Sequence, residues 1–177
     1  MSDVFISYAR EDGDFVHRLN AALKTRKRIT SIDVQDLLPA EQWPARVEDL
    51  IAEADCFVFV ISPHSAASIP CRDELGYALA FNKRVIPVLR VDTETDTLPT
   101  PLGTLNWLFM READDFQSGL AMLDRVLDTE PEYVHVHTRL TIRAREWERA
   151  DHDRSALIRG GTLQSAQTWL AGATGKS

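Results

Sequence analysis

The sequence predicts an α/β fold, a doubly wound parallel five-stranded sheet with a C-terminal helical extension. Two patterns carry this expectation. Cys56 to Ile61 (CFVFVI) is an unbroken apolar run rich in β-branched and aromatic residues, the mark of a strand buried on both faces. Short apolar runs then alternate with helical periodicities through residue 127, in the order βαβαβαβ-loop-βα. Such alternation packs helices on both faces of a parallel sheet.

The first strand, Val4 to Ile6, begins almost at residue 1. Ser7-Tyr8-Ala9-Arg10 and the acidic stretch Glu11 to Asp14 follow. Asp14 reads as the N-cap of a helix whose face is Phe15, Leu19, Ala22 and Leu23; Lys24 to Arg28 close it with cations that suit the negative end of its dipole. Arg28 to Val34 reads as a weakly apolar edge strand. After a loop to Trp43, Pro44 fits the first turn of a helix carrying Val47, Leu50, Ile51 and Ala54. Past the run 56–61, Ser62-Pro63 ends the strand. A polar loop then leads to a helix with Leu75, Ala78 and Leu79 on one face. Arg84 to Leu89 reads as another buried strand, although Pro87 lacks the N–H that a central strand uses. A loop with three prolines precedes a last strand within 106–110 and a helix marked by Phe116, Leu120, Leu123 and Leu127.

Beyond Glu132 the chain becomes Arg-rich. Leu140, Ala144 and Trp147 predict one amphipathic helix. Leu163, Ala166 and Leu170 predict a second, capped by Thr162 and separated from the first by Gly160-Gly161. We therefore divide the chain into an α/β domain, 1–131, and a helical extension or linker to a partner module, 132–177.

The formal charge of −7 argues against a nucleic-acid binder, which needs a basic face. That charge is uneven: residues 133–177 hold 7 Lys and Arg against 4 Asp and Glu, and the first 132 hold 13 against 23. An acidic body and a basic tail suggest two parts that dock or that do different jobs. Two cysteines outside any C-x-x-C motif suit a reduced setting. No apolar run approaches a bilayer span and no signal pattern opens the chain, so we expect a cytoplasmic protein with no membrane partner. His135 and His137 in V-H-V-H would share one face of a strand, but further ligands are lacking and we expect no metal. No G-x-G-x-x-G follows the first strand, which argues against a dinucleotide-binding dehydrogenase.

Three stretches, VFISYAR, SIDVQDLLPAEQW and FVFVISPHSAASIPCRDELGYALAFNKRVIPVL, resemble in order and spacing the Toll/interleukin-1 receptor (TIR) domain of bacterial type, over about residues 1–130. The resemblance implies the flavodoxin-like TIR fold. It also implies an NAD glycohydrolase of prokaryotic immune signalling, activated by self-assembly, that yields nicotinamide and ADP-ribose or a cyclic ADP-ribose. NAD is then a substrate, and no cofactor is expected. In the family the glutamate of the helix after the third strand is catalytic; here that residue is Glu74. One carboxylate suffices chemically. Nicotinamide leaves a cationic pyridinium as a neutral pyridine and needs no proton, unlike the leaving group of an ordinary glycosidase. The carboxylate is left to stabilise the oxocarbenium-like ribose.

The substrate-binding residues implied are Ser7, Tyr8 and Arg10 after the first strand, Asp33 and Trp43 around the loop after the second, and Ser65 and Cys71 ahead of Glu74. Each has a structural alternative. Tyr8 caps the core and Arg10 pairs with Glu11 or Asp12; Trp43 staples its helix; Ser65 and Ser68 cap helices, the stronger reading for both; Cys71 is a buried thiol; Glu74 is a solvated or first-turn acid. Three positions depart from the family pattern: Pro70 stands for a common Trp, Ala40 for a glycine and Asp36 for a basic residue of some active relatives. Implied partners are other TIR domains, as a homo-oligomer or filament, and a sensor or ATPase module joined through the extension. The competing reading is a non-catalytic TIR scaffold working by homotypic contacts.

Overall fold

The computed structural model describes residues 2–32 and 43–173, the side chains of residues 43 and 44 excepted. Strands β1 (Ser2–Ser7), β2 (Thr30–Ile32), β3 (Ala54–Ile61), β4 (Arg84–Leu89) and β5 (Leu108–Phe109) form one parallel sheet in the order β2-β1-β3-β4-β5. The helices of the body are α1 (Gly13–Thr25), α2 (Trp43–Glu53), α3 (Pro63–Ala67), α4 (Ile69–Ala80), α5 (Thr100–Gly103) and α6 (Phe116–Leu127).

Period-two alternation along the buried strands sends side chains to two cores. Val4, Ile6, Val58, Val60 and Val88 pack against α1 and α6 through Val16, Leu19, Leu23, Leu120 and Leu123. Phe5, Phe57, Phe59 and Ile61 pack on the other face against Val47 and Ile51 of α2 and Cys71, Leu75 and Ala78 of α4. The doubly wound expectation therefore holds.

Pro87 finds its physical reason in the ladder. Arg90 N donates to Ile61 O of β3, whereas Leu89 O accepts from Met110 N on the β5 side. Residues 87 and 89 thus face β5, whose ladder pairs only Val88 and Leu89. Pro87 sits beside β4's short neighbour, before its pairing begins, and no ladder bond is lost.

Several local expectations change. Residues 10–12 form a single 3-10 turn that feeds α1 at Gly13, so Asp14 lies inside the helix and Asp12 holds the cap position. The polar loop after β3 contains α3, closed by a capping box between Ser62 and Ser65. Leu79 is exposed; the inward stripe of α4 is Cys71, Glu74, Leu75 and Ala78.

In α6, Gly119 packs so tightly on β5 that an added Cβ would lie 2.6 Å from Met110 Cγ and 3.2 Å from the Phe109 carbonyl. Gly119→Ala is expected to lower stability by about 1–3 kcal/mol in urea unfolding, overpacking outweighing the ~1 kcal/mol gain in helix propensity.

The extension folds as α7 (Pro131–Arg149) and α8 (Gly160–Ala171). V-H-V-H is helical rather than extended. His135 bonds Asp55 (2.9 Å) and His137 stacks on Trp169. The α7 side chains that meet the body include Val134, Thr138 and Arg145, and of the expected stripe Leu140, Ala144 and Trp147 the middle residue, Ala144, is exposed. Polar anchors replace the apolar periodicity there. α8 starts at Gly160, which puts Thr162 within its first turn, and Trp169 fastens it to α7 by stacking on Tyr133 and donating to Tyr133 O (3.0 Å). Among the described residues no helix is long and apolar enough to cross a membrane.

Candidate active site

In an open parallel sheet, ligands bind beyond the carboxyl ends of the strands where the strand order reverses. Here that point lies between β1 and β3, because the chain leaves β1 for β2 on one side and β3 for β4 on the other. A cleft of about 420 Å³ opens there, walled by Tyr8, Arg10 and Glu11 after β1 and by His64, Ser68 and Pro70 after β3.

The two walls are joined underneath. Asp12, 6% exposed, accepts a 2.6 Å hydrogen bond from Ser62 Oγ. Ser62 Oγ in turn accepts from Ser65 N (3.1 Å), while Ser65 Oγ accepts from Ser62 N (2.9 Å). Burial raises the Asp12 carboxyl above its ordinary range, opposed by the Ser62 bond and then by the charges of His64 and Arg90. Asp12→Ala is expected to cost about 1–2 kcal/mol, since it strands the buried Ser62 hydroxyl. Asp12→Asn keeps an acceptor and removes the buried charge, so its thermal midpoint should match or exceed that of wild type. A midpoint as low as that of Asp12→Ala would mean the charge itself is needed.

The expected site residues fall into three groups. Tyr8 and Arg10 line the cleft, and Tyr8 also packs against the α1 and α6 core, as its structural alternative expects. Asp12, one of the two acids expected to pair with Arg10, is hydrogen-bonded to Ser62. Ser7, Ser65 and Cys71 are buried. Ser65 completes the α3 capping box, Ser68 Oγ caps α4 by accepting from Cys71 N (3.3 Å), and Cys71 belongs to the core on the α2 face. Ser7 Oγ has no hydrogen-bond partner among the described residues. Asp33, Asp36 and Ala40 lie outside the described residues, as does the Trp43 side chain, whose backbone starts α2.

Glu74 is 3% exposed. It is neither a solvated acid nor a first-turn carboxylate, the two structural alternatives. It lies four residues after Pro70, on the same side of α4. Pro70 lines the cleft and Glu74 does not, so the carboxylate sits one helical turn behind the cleft wall. Asp12 and Ser62 were not foreseen as site residues. The S-x-x-S spacing of Ser62 and Ser65 at a strand end is a capping signal that would have found one of them. Among the described residues no group of three His, Cys, Asp or Glu is placed to hold a metal ion.

The sequence profile described as TIR domain matches residues 4–123. The chain belongs to the TIR domain family. This TIR chain is similar to the TIR domain of the Toll-related receptor TRR-2 of Hydra magnipapillata, at 24% identity over 73% of this chain and 100% of the other, with a TM-score of 0.63. It is also similar to a metazoan TIR-STING receptor of C. gigas in complex with 2',3'-cGAMP, at 25% identity over 73% of this chain, TM-score 0.61, where it spans 40% of the receptor's length. A third similar fold is the CMP N-glycosidase of Clostridium botulinum, at 20% identity over 70% of this chain and 98% of the other, TM-score 0.50. No curated protein matches.

Proposed function

We propose that this TIR domain is an NAD glycohydrolase in prokaryotic immune signalling, gated by self-assembly, with Glu74 as its catalytic carboxylate. The observation that carries the reading is the burial of Glu74 on the inward stripe of α4, one turn from a cleft at the sheet's switch point. A polar group on this stripe must be desolvated, and the apolar neighbours Cys71, Leu75 and Ala78 would pack α4 without it. The same fold carries an N-glycosidase of CMP in Clostridium botulinum, so this architecture admits cleavage of a glycosidic C–N bond.

In the proposed reaction the bond between ribose C1′ and the nicotinamide nitrogen breaks and its electron pair leaves with the pyridine. Positive charge develops on the ribose, and Glu74 stabilises it. Water then adds at C1′ and loses a proton, giving ADP-ribose; an adenine nitrogen adding instead gives a cyclic product. Tyr8 offers a ring to stack on a flat base, and Arg10 offers a cation for the pyrophosphate.

The test is nicotinamide release from NAD by the purified chain, dilute and then concentrated. Release rising steeply with protein concentration is the expected result. No release at any concentration overturns the reading and leaves the TIR scaffold, a module for homotypic contacts, in its place.

A further inference from the structure

Glu74 is buried, yet the reaction proposed for it needs contact with a ribose. The stripe that carries it is packed against α2, where Cys71, Leu75 and Ala78 of α4 share a core with Val47 and Ile51. One route for substrate to Glu74 is the seam between α2 and α4, along which its stripe packs.

One side chain outside the body bridges that seam. Arg145 of α7, 12% exposed at its side chain, donates to Glu48 Oε1 (2.5 Å) and Asp49 Oδ1 (3.0 Å) of α2. Its guanidinium also lies 4.7 Å from the ring centroid of Phe81, the residue that ends α4. Arg145 thus holds α2 with two charged hydrogen bonds and α4 with a cation–π contact. Arg149 adds a second contact to Asp49. α7 itself is seated on the sheet, where Thr138 Oγ1 lies 3.3 Å from both Ala54 O and the Lys83 ammonium. The basic extension docks on the acidic body at α2 and at the end of α4, the helix that carries Glu74.

We propose that α7 is an autoinhibitory strap, in which Arg145 joins α2 to the end of α4 and keeps the Glu74 seam shut. The proposal rests on the reading of Glu74 as the reacting carboxylate. It names the regulation of that site: whatever displaces α7 from Glu48 and Asp49, such as an acidic partner surface competing for Arg145, opens it.

The two buried cysteines supply a readout independent of turnover. Cys71 lies on the Glu74 stripe, and Cys56 lies in the central strand β3, so maleimide labelling of Cys71 reports the seam and labelling of Cys56 reports global unfolding. Arg145→Ala is expected to speed Cys71 labelling about tenfold, the size of effect that breaking a coupled contact produces. Cys56 labelling should be unchanged and nicotinamide release by the dilute chain should rise. Glu48→Gln with Asp49→Asn cuts the same contact from the other side and replaces Arg145→Ala if that variant exposes Cys56. Cys71 labelling at the wild-type rate in a folded variant overturns the strap. Faster Cys71 labelling with no nicotinamide release from any variant upholds the seam contact and overturns the glycohydrolase reading instead.

Discussion

Glu74→Gln is expected to release nicotinamide at least about 10²-fold more slowly than wild type while still unfolding cooperatively. The amide keeps the side chain's shape, so the packing of α4 on α2 persists. It loses the charge, and a preorganised group aimed at developing charge typically accounts for about 10²–10³ in rate. Glu74 is 3% exposed, so the variant's fold is checked by its thermal midpoint. Loss of activity in a variant that still folds is the signature of a residue kept for chemistry. Calorimetry beside a nicotinamide assay reads both at once. Equal turnover in a folded Glu74→Gln chain would sink the catalytic assignment, and a variant that unfolds would make Glu74 a structural acid.

The parts of this molecule legible in the sequence are those governed by period and by strong local signals. The β3 run 56–61, the stripes of α1 and α6, and Val47 and Ile51 of α2 were readable because burial on a sheet leaves an apolar signature at fixed spacing, although Ala54, expected on α2, begins β3. Alternation and handedness give a doubly wound parallel sheet, whereas its flavodoxin-like arrangement came from the family resemblance. Illegible were the places where polar groups do the packing. Nothing in Thr138 or Arg145 announces a buried contact, and apolar periodicity placed α7 on its Leu140, Ala144 and Trp147 face instead. Asp12 looked like one acid among three, and only the fold brings it 50 residues along the chain to Ser62. Pro87 was legible as an anomaly but not as a solution, because the shortness of β5 is a tertiary fact. For Glu74 the family motif identified the residue; burial, which separates it from a surface acid, came from the fold.

Unfolding free energy is expected to rise between about pH 8 and 9, with a slope of up to about 1.4 kcal/mol per pH unit, and then to level off. The rise belongs to Lys83. Lys83 is 5% exposed, and its ammonium donates to Ala52 O and Ala54 O, both at 2.8 Å, and to Thr138 Oγ1 at 3.3 Å. Burial lowers its pKa from the ordinary 10.5 to about 8, against the pull of Asp55 and Cys56. Between those values the folded chain has given up a proton that the unfolded chain still holds, so stability increases with pH. Cys56 acts in the opposite sense, since burial raises its thiol from 9.0 to about 11. From about pH 9 the unfolded chain loses the thiol proton that the folded chain retains, and this offsets the Lys83 gain. Urea unfolding across pH 7.5–10.5 separates the two. Cys56→Ser should let the rise continue toward pH 10.5, and Lys83→Met should abolish it. A flat wild-type profile between pH 8 and 9 would mean that the three acceptors around Nζ hold the proton more strongly than burial expels it. The seat of α7 on the sheet would then be a fixed charge rather than a titrating one.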